Sequence, residues 1–284
     1  MAGHNVLGRI ASIMEDLPKA EKKIAEVILH SPETIVNMTA SQLGTEAKSS
    51  AATVIRLCKR LGVESFTQLK VMVSGEISHT SPTGYADITA DEKIDDIMDK
   101  LLGNAFQSMQ DTVSILNKDR LFAAVDALEK ASVIYVFGIG ASQLVAQNIA
   151  QKWSRIGKTC VCPNDPHNLV AALAGSDENT VFFGISNSGE TKEVSKIVQI
   201  AKDNGCTTIG LTRFGGNTIA SKVDVSLQTV RAKEEELRSA ATSSLHAQFL
   251  VVDVLFYTYA SRNYDRVIQN TRHSRAEIDH YSNN

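Results

Sequence analysis

The spacing of apolar residues divides the chain into an all-helical front and a mixed remainder. Up to about residue 78, apolar side chains recur every three or four positions, as in the runs 6–14 and 24–28. This period places them on one face of a helix, and Pro18 suits the first turn of the second helix. Strand-like alternation is absent from this part of the sequence. The spacing therefore predicts an all-α domain over residues 1–78.

A stretch rich in small and turn-forming residues, 78–84, then interrupts the helical period. We place a domain boundary there. The helical pattern resumes from about Asp91 to Lys130. Its apolar stripe consists of Ile94, Ile97, Leu101, Leu102, Ala105 and Met109. The predicted organisation is a first domain over 1–78, a linker and connecting helix over 79–105, and a second domain over 106–284.

From residue 132 onward, short apolar runs alternate with helical segments. The runs are Val133–Phe137, Thr159–Cys162, Thr180–Ile185, Thr207–Leu211 and Val223–Leu227. Such runs, bounded by Gly, Asn and Asp and separated by helices, are typical of parallel strands covered on both faces. The pattern predicts an α/β three-layer domain with a mostly parallel five-stranded sheet.

Two short helices with clear start signals are predicted between Thr39 and Gly62. Thr39 and Gln42 have the spacing of a capping box, and Ser50 can cap a second helix that stops at Gly62. The inward positions of the second helix are apolar, which leaves its polar and basic positions on or beside the outer face. The candidate DNA-binding residues of this region are Lys48, Ser50, Thr53, Arg56, Lys59, Arg60 and Lys70.

Charge adds a local argument for nucleic-acid binding. The chain has a net charge of −3, yet residues 1–78 contain nine Lys and Arg against eight Asp and Glu. Between Lys48 and Lys70 the only opposing charge is Glu64, so any DNA contact must come from this short basic surface. Spacing and charge fit a small helical bundle with a solvated basic face equally well, and both interpretations stay open at this point.

The segment Ser186-Asn187-Ser188-Gly189-Glu190-Thr191 follows the third apolar run and opens a helix. Three hydroxyls and successive backbone amides at a helix start suit a phosphate, and Gly189 allows close approach. A polar turn that merely caps the helix is the alternative. A second turn ends in Ser142 after the first run, and ligands of α/β sheets bind at strand C-termini, so phosphate binding is favoured. Gln143 replaces the third glycine of a dinucleotide motif, which disfavours such a cofactor.

Both regions resemble known families. Residues Thr39 to Lys70 resemble the helix-turn-helix of the RpiR regulators, with Ser49 where that family usually has an apolar residue. The two Ser-containing turns resemble the SIS domain, a phosphosugar-binding module, over about residues 106–265. By this resemblance the phosphate is held by Ser186, Ser188 and Thr191, with Asn187 and Ser142 nearby. It also implies a sugar contact from one of Glu234, Glu235 and Glu236, for which we choose Glu235.

The resemblance implies a DNA-binding regulator of sugar or amino-sugar metabolism that a phosphosugar effector controls, and not an enzyme. The rival interpretation is a sugar-phosphate isomerase with an accessory helical domain, whose base and acid would come from the Glu run with His167 or His246. Residues 39–70 weigh against the rival, because an isomerase does not need them. Helix-turn-helix proteins read two half-sites with two recognition helices. We therefore expect a homodimer or homotetramer and a palindromic double-stranded operator.

The sequence has no pattern typical of a metal site, a disulfide framework or a membrane span. The histidines show no metal-ligand spacing, so neither a metal nor another cofactor is expected. The four cysteines lack a CxxC pair, as expected for reduced thiols in the cytoplasm. The most apolar run, Phe249 to Phe256, is far shorter than the roughly 18 residues that span a bilayer. We therefore expect a soluble cytoplasmic protein with no membrane partner.

Overall fold

The computed structural model describes residues 6–77, 91–231 and 241–283. The chain forms two compact units. The first contains the helices up to Ile115, together with Phe214–Gly216 and the segment that begins at Val230, and the second contains the sheet and the C-terminal helices. The domain limits at residues 78 and 105 stay predictions.

Within the described residues, the regular elements of the first unit are all helices, as the apolar spacing predicted for residues 1–78. Its helices are α1 (Val6–Ile13), a short 3-10 helix (Met14–Asp16), α2 (Lys19–His30), α3 (Pro32–Ile35), α4 (Ala40–Glu46), α5 (Ala51–Arg60), α6 (Phe66–Ile77) and α7 (Ile94–Ile115). The apolar faces of α1 to α6 meet in one core around Ile10, Ile24, Leu43, Leu57 and Leu69, all fully buried. Helix packing around this core sets the relative positions of α4 and α5.

The second unit alternates strands and helices. Its elements are α8 (Lys118–Lys130), β1 (Val133–Gly138), α9 (Ala141–Arg155), β2 (Thr159–Val161), α10 (Pro166–Ala174), β3 (Thr180–Ile185), α11 (Lys192–Asp203), β4 (Thr207–Arg213), α12 (Thr218–Lys222), β5 (Val225–Thr229), α13 (Ser243–Arg262) and α14 (Tyr264–Asn283). Apolar cores lie on both faces of the sheet, one around Trp153 and Phe183 and the other around Phe182 and Val198. The predicted three-layer α/β class is confirmed.

The sheet has five parallel strands in the order β2-β1-β3-β4-β5. β3 lies at its centre and is buried along its whole length, which explains its uninterrupted apolar sequence. The strand order reverses between β1 and β3, and their last residues, Gly138 and Ile185, are register partners. The turns that follow these two strands therefore begin side by side, at the type of position where α/β sheets bind ligands.

No helix among the described residues is long and apolar enough to cross a bilayer. The cysteines Cys58, Cys160, Cys162 and Cys206 are free thiols. Burial raises the pKa of Cys58 to about 11 and that of Cys160 to about 12, so both thiols are protonated at neutral pH.

Candidate functional site

Local hydrogen bonds set the turn between α4 and α5. The predicted capping box is present, since the Gln42 N–H donates to Thr39 Oγ1 at 3.2 Å and the Thr39 N–H donates to Gln42 Oε1 at 2.7 Å. At the other end of α4, the N–H of Ser49 donates to the Gly44 carbonyl at 2.7 Å, in the pattern of a Schellman motif. Lys48 occupies the left-handed position of this motif, with φ 49°, and its side chain is exposed.

Gly44 is required where α4 meets the start of α5. A Cβ at this position would lie 2.7 Å from the carbonyl carbon of Ser50 and 2.9 Å from the backbone nitrogen of Ala51. Such contacts are closer than atoms tolerate, so any side chain would push the two helices apart. This requirement for glycine was not predicted from the sequence. One feature of the sequence could have indicated it: a glycine within a helix often marks a place where another element packs closely.

The outer face of α5 carries most of the predicted DNA-binding side chains. Ser50, Arg56, Lys59 and Arg60 are exposed, while Val54, Leu57 and Cys58 are buried against the core. Ser50 caps the helix by accepting the Thr53 N–H at 3.3 Å.

The prediction that Thr53 lies on or beside the outer face is wrong. Its side chain is buried, with 3% of the residue exposed. Its hydroxyl lies 3.0 Å from Ser50 Oγ and accepts a hydrogen bond from the Arg56 guanidinium at 2.8 Å. Thr53 therefore supports an exposed arginine from beneath.

Glu21 is a second acidic residue close to the basic side chains of α5. This corrects the expectation that Glu64 is the only opposing charge near them. Glu21 on α2 is nearly buried, and its Oε2 accepts a hydrogen bond from Arg60 Nε at 2.8 Å. Its other oxygen lies 4.0 Å from Arg56 Nε. This hydrogen bond raises the pKa of Arg60 above its ordinary value. Glu21 thus constrains the directions of both guanidinium groups on α5.

The remaining predicted DNA contacts are lysines outside this network. Lys59 is exposed on α5, and no ion pair joins it to another residue in the described ranges. Lys70 on α6 places its ammonium over the Phe66 ring, 5.7 Å from the ring centre. Lys48, Lys59 and Lys70 therefore keep their charges available at the surface of the first unit.

The turn after β3 gathers the three predicted phosphate-binding hydroxyls. Ser186 Oγ lies 2.7 Å from Thr191 Oγ1 and 3.5 Å from Ser188 Oγ. The Gly189 N–H donates to Ser186 Oγ at 3.1 Å, which closes the turn on itself. Ser186 is buried, whereas Ser188 is exposed at the rim. The geometry is a small hydroxyl-lined cup at the start of α11.

The hydroxyls of this cup do not cap α11. Thr191 is the N-cap residue, but its side chain makes no capping hydrogen bond, and Gly140 at the N-cap of α9 has no side chain to offer. By contrast, side chains cap α8, α10 and α12, namely those of Asn117, Asp165 and Asn217. The first N–H groups of α9 and α11 are thus left without a side-chain acceptor. These two helices are the ones that follow the adjacent strands β1 and β3.

Residues distant in sequence hold the cup in place. The Asn187 carbonyl accepts the Arg213 N–H at 3.0 Å, and Gln248 Nε2 on α13 donates to Asn187 Oδ1 at 3.4 Å. Glu190 accepts two hydrogen bonds from Thr218, from its hydroxyl at 2.6 Å and its N–H at 2.8 Å. These bonds, the hydroxyl one foremost, lower the pKa of Glu190. These partners were not predicted from the sequence, because no local pattern marks them.

Gly189 is the tightest point of the cup. Its backbone has φ 71°, in the left-handed region, and a Cβ there would fall on the side-chain amide of Asn217. Asn217 is itself fixed, because its Nδ2 donates to Thr212 Oγ1 at 3.1 Å and its Oδ1 accepts the Ala220 N–H at 2.8 Å. Only glycine fits between the turn and this amide.

The turn after β1 is organised by Gln143. Its Oε1 accepts the Gly138 N–H at 3.1 Å, and its Nε2 lies 3.3 Å from Cys162 Sγ and 3.4 Å from the Pro163 carbonyl. The glutamine that breaks the dinucleotide motif therefore ties β1 to the end of β2. Ser142, the second residue of α9, is buried beside this turn.

Glu235, together with Glu234 and Glu236, lies outside the described residues. His167 is exposed on α10, in a turn that Asp165 caps by accepting its N–H at 2.9 Å. No group of three His, Cys, Asp or Glu side chains within the described ranges is placed to hold a metal ion.

Comparison with known proteins identifies both units. Residues 4–80 match the family model described as a helix-turn-helix domain of the rpiR family, and residues 127–258 match the SIS domain. The HTH-type transcriptional regulator YbbH of Bacillus subtilis is 39% identical over 272 residues, which cover 96% of each chain. The chain belongs to the RpiR family of transcriptional regulators. The predicted family is therefore confirmed.

Two further relatives of this RpiR-family chain support the assignment. The regulator HexR of Escherichia coli is 28% identical over 251 residues, covering 88% of this chain and 86% of HexR. The structure of the Vibrio vulnificus NanR protein complexed with ManNAc-6P covers 96% of this chain and 98% of that chain, with 26% identity and a TM-score of 0.60. The prediction of a regulator over an isomerase is thereby confirmed.

Proposed function

We propose that a phosphosugar bound at the cup formed by residues 186–191 controls the affinity of this regulator for its operator. The observation that carries the proposal is the start of α11, where three hydroxyls converge without capping the helix. Uncapped N–H groups, hydroxyl donors and the positive end of the helix dipole together suit a phosphate. The ManNAc-6P complex of the similar NanR protein supports a sugar phosphate as the occupant.

In this proposal the phosphate and the sugar are held by different residues. Ser186, Ser188 and Thr191 donate to the phosphate oxygens together with the uncapped N–H groups at the start of α11. Asn187, Ser142 and Glu235 contact the sugar or the outer phosphate oxygens. Glu190 stays turned away from the anion, because both of its oxygens are engaged by Thr218.

The proposed DNA-reading element is α5. Arg56, Lys59 and Arg60 reach base edges and phosphates of the major groove, and Ser50 at the helix start contacts a phosphate. Lys48 and Lys70 bind the DNA backbone on either side. Thr53 acts from beneath, through its hydrogen bond to Arg56.

Reading an operator with one short helix calls for two copies of the chain. Two half-sites about one helical turn apart then form a palindromic double-stranded operator, which a homodimer or homotetramer binds in the cytoplasm. The required coupling is modest, because a 5- to 150-fold effect on affinity corresponds to about 1–3 kcal/mol. The regulated genes belong to sugar or amino-sugar metabolism.

A pair of variants tests the two sites separately. We expect Arg56→Ala to weaken operator binding by about 1–3 kcal/mol, roughly 5- to 150-fold, while thermal stabilisation by a phosphosugar persists. We expect Ser188→Ala to keep operator binding but to lose the phosphosugar response. Lys118→Ala and Ser132→Ala, exposed changes on α8 and before β1, are the matched controls. Unchanged operator affinity in Arg56→Ala, or a full response in Ser188→Ala, would refute the corresponding site.

A further inference from the structure

A buried acidic side chain, Glu21 of α2, lies beneath the basic outer face of α5. Only 6% of its side chain is exposed, whereas its partners Arg56 and Arg60 are 61% and 48% exposed. Burying a carboxylate costs free energy, and ion pairs with half-exposed arginines return little of it. The same charge also repels the phosphates of any DNA that α5 approaches. An acid at this position therefore opposes both folding and DNA attraction, which points to a role in DNA recognition.

The hydrogen bond to Glu21 restrains the Arg60 guanidinium through its inner nitrogen. Arg60 Nε donates to Glu21 Oε2 at 2.8 Å, and no acceptor in the described ranges takes a hydrogen bond from the two Nη groups. Because a guanidinium is planar, holding Nε restricts the plane and the direction of the whole group. The two Nη groups form the fork that binds guanine O6 and N7 or two phosphate oxygens. Glu21 thus holds the side chain and leaves its DNA-recognising donors available.

Arg56 is held by two contacts on the same helix face. Its Nη2 donates to Thr53 Oγ1 at 2.8 Å, and its Nε lies 4.0 Å from Glu21 Oε1. Thr53 Oγ1 in turn lies 3.0 Å from the hydroxyl of Ser50, which caps α5. An unrestrained arginine loses much of its side-chain entropy when DNA immobilises it, and restraint in the free protein reduces this loss. Glu21 is the residue that joins the two arginines in one network.

The exposed lysines of this surface attract DNA without regard to its sequence. Lys48 and Lys59 are exposed, and within the described residues no ion pair joins either of them to an acid. A lysine ammonium binds phosphate as a point charge, whereas the arginine fork distinguishes base edges. The charge of Glu21 weakens attraction to every duplex, while its hydrogen bond favours only the duplex that fits the held guanidinium groups. Both effects increase the difference in affinity between the operator and other DNA.

We infer that Glu21 is a positioning residue for sequence discrimination, which orients the guanidinium groups of Arg60 and Arg56 toward the bases and disfavours DNA that lacks their partners. The inference rests on the proposed role of α5 as the DNA-reading element, and it does not depend on the phosphosugar site. Glu21 acts through the two arginines. Removing its charge therefore reduces specificity while it increases the attraction to DNA in general.

The affinities for two DNA duplexes test this inference. One duplex is the operator that the native full-length protein enriches from a random duplex library, and the other is a shuffled sequence of the same length and composition. We expect Glu21→Gln to bind the shuffled duplex more tightly than the native protein does, and to lower the ratio of operator to shuffled affinity by about tenfold. The released Arg60 neutralises one more phosphate, so the salt slope for the shuffled duplex becomes steeper by about 0.9. A loss of folded protein would weaken binding of both duplexes equally and would leave the slope unchanged.

Two further variants separate charge from orientation. Glu21→Asp keeps the charge on a side chain that is one methylene shorter, so we expect weaker operator binding with little change for the shuffled duplex. Glu26→Gln removes an exposed acid from the same helix, and we expect it to discriminate as the native protein does. Chemical denaturation checks that each variant is folded. If Glu21→Gln did not fold, native discrimination by Glu21→Asp would overturn the inference.

The Arg60→Ala background tests whether Glu21 acts through this arginine. There, Glu21→Gln is expected to change the affinity ratio by less than about twofold, because the guanidinium that it positions is absent. A native affinity ratio and salt slope in Glu21→Gln, or an equal loss of discrimination in Glu26→Gln, would overturn the inference while α5 remains the DNA-reading element. A native protein that enriches no duplex would overturn the proposed function and this inference with it.

Discussion

Replacing Gly189 by alanine is expected to abolish the response to phosphosugar. The new Cβ would occupy the place of the Asn217 amide, which Thr212 and Ala220 hold in position. The turn would have to move, and the hydroxyls of Ser186 and Thr191 would lose their 2.7 Å contact. The left-handed backbone adds about 1–2 kcal/mol of strain for any residue with a Cβ.

Thermal unfolding with and without phosphosugar measures this effect. A matched control is Gly205→Ala, which has the same left-handed backbone, with φ 79°, but whose Cβ would meet only Glu178 N at 4.0 Å. The control is expected to lose about 1–2 kcal/mol of unfolding free energy and to keep its ligand response. A ligand response in Gly189→Ala equal to that of the control would show that the geometry of the cup is not needed.

Replacing Gly44 by alanine is expected to abolish operator binding. An exposed helical glycine would normally gain about 1 kcal/mol of stability from this change, since alanine is the better helix former. Here the added Cβ would meet the backbone of Ser50 and Ala51 at 2.7 and 2.9 Å, so α5 must shift away from α4. We expect the unfolding free energy to fall and operator affinity to drop by at least about 100-fold, or roughly 3 kcal/mol.

Operator binding and chemical denaturation of the same samples check this prediction. Thr45→Ala, at the exposed neighbouring position of α4, is the control and is expected to bind the operator with native affinity. If Gly44→Ala were as stable as the native protein and bound the operator equally well, the close approach of α4 and α5 would have no role in DNA reading.

Much of the fold could be predicted because its signals are local. The Thr39–Gln42 capping box and the Ser50 cap each depend on residues three positions apart, and both are present. The strand β3 was predicted with its observed limits, because a fully buried parallel strand is a continuous apolar run. The strand β5 begins at Val225 instead of Val223, a difference typical of element boundaries.

The parts that could not be predicted depend on contacts between distant residues. Glu21 bonds to Arg60, 39 positions away, and Glu190 bonds to Thr218, 28 positions away. No local pattern in the sequence predicts either pair. The side chain of Thr53 was predicted on the wrong face of α5, because threonine is compatible with both the buried and the exposed face of a helix. Its hydroxyl accepts a hydrogen bond from Arg56, a contact that composition does not reveal. The packing of α4 on α5 likewise appears only in three dimensions.

We propose that a sugar phosphate, recognised through its phosphate, controls DNA binding by this chain. The most direct measurement is operator binding by fluorescence anisotropy, titrated with N-acetylmannosamine 6-phosphate and other hexose and amino-sugar phosphates, and in parallel with the same sugars lacking phosphate. We expect at least one phosphorylated sugar to change operator affinity by 5- to 150-fold while its unphosphorylated form has no effect. Equal responses to both forms, or conversion of the sugar phosphate to an isomer without any change in operator binding, would contradict it.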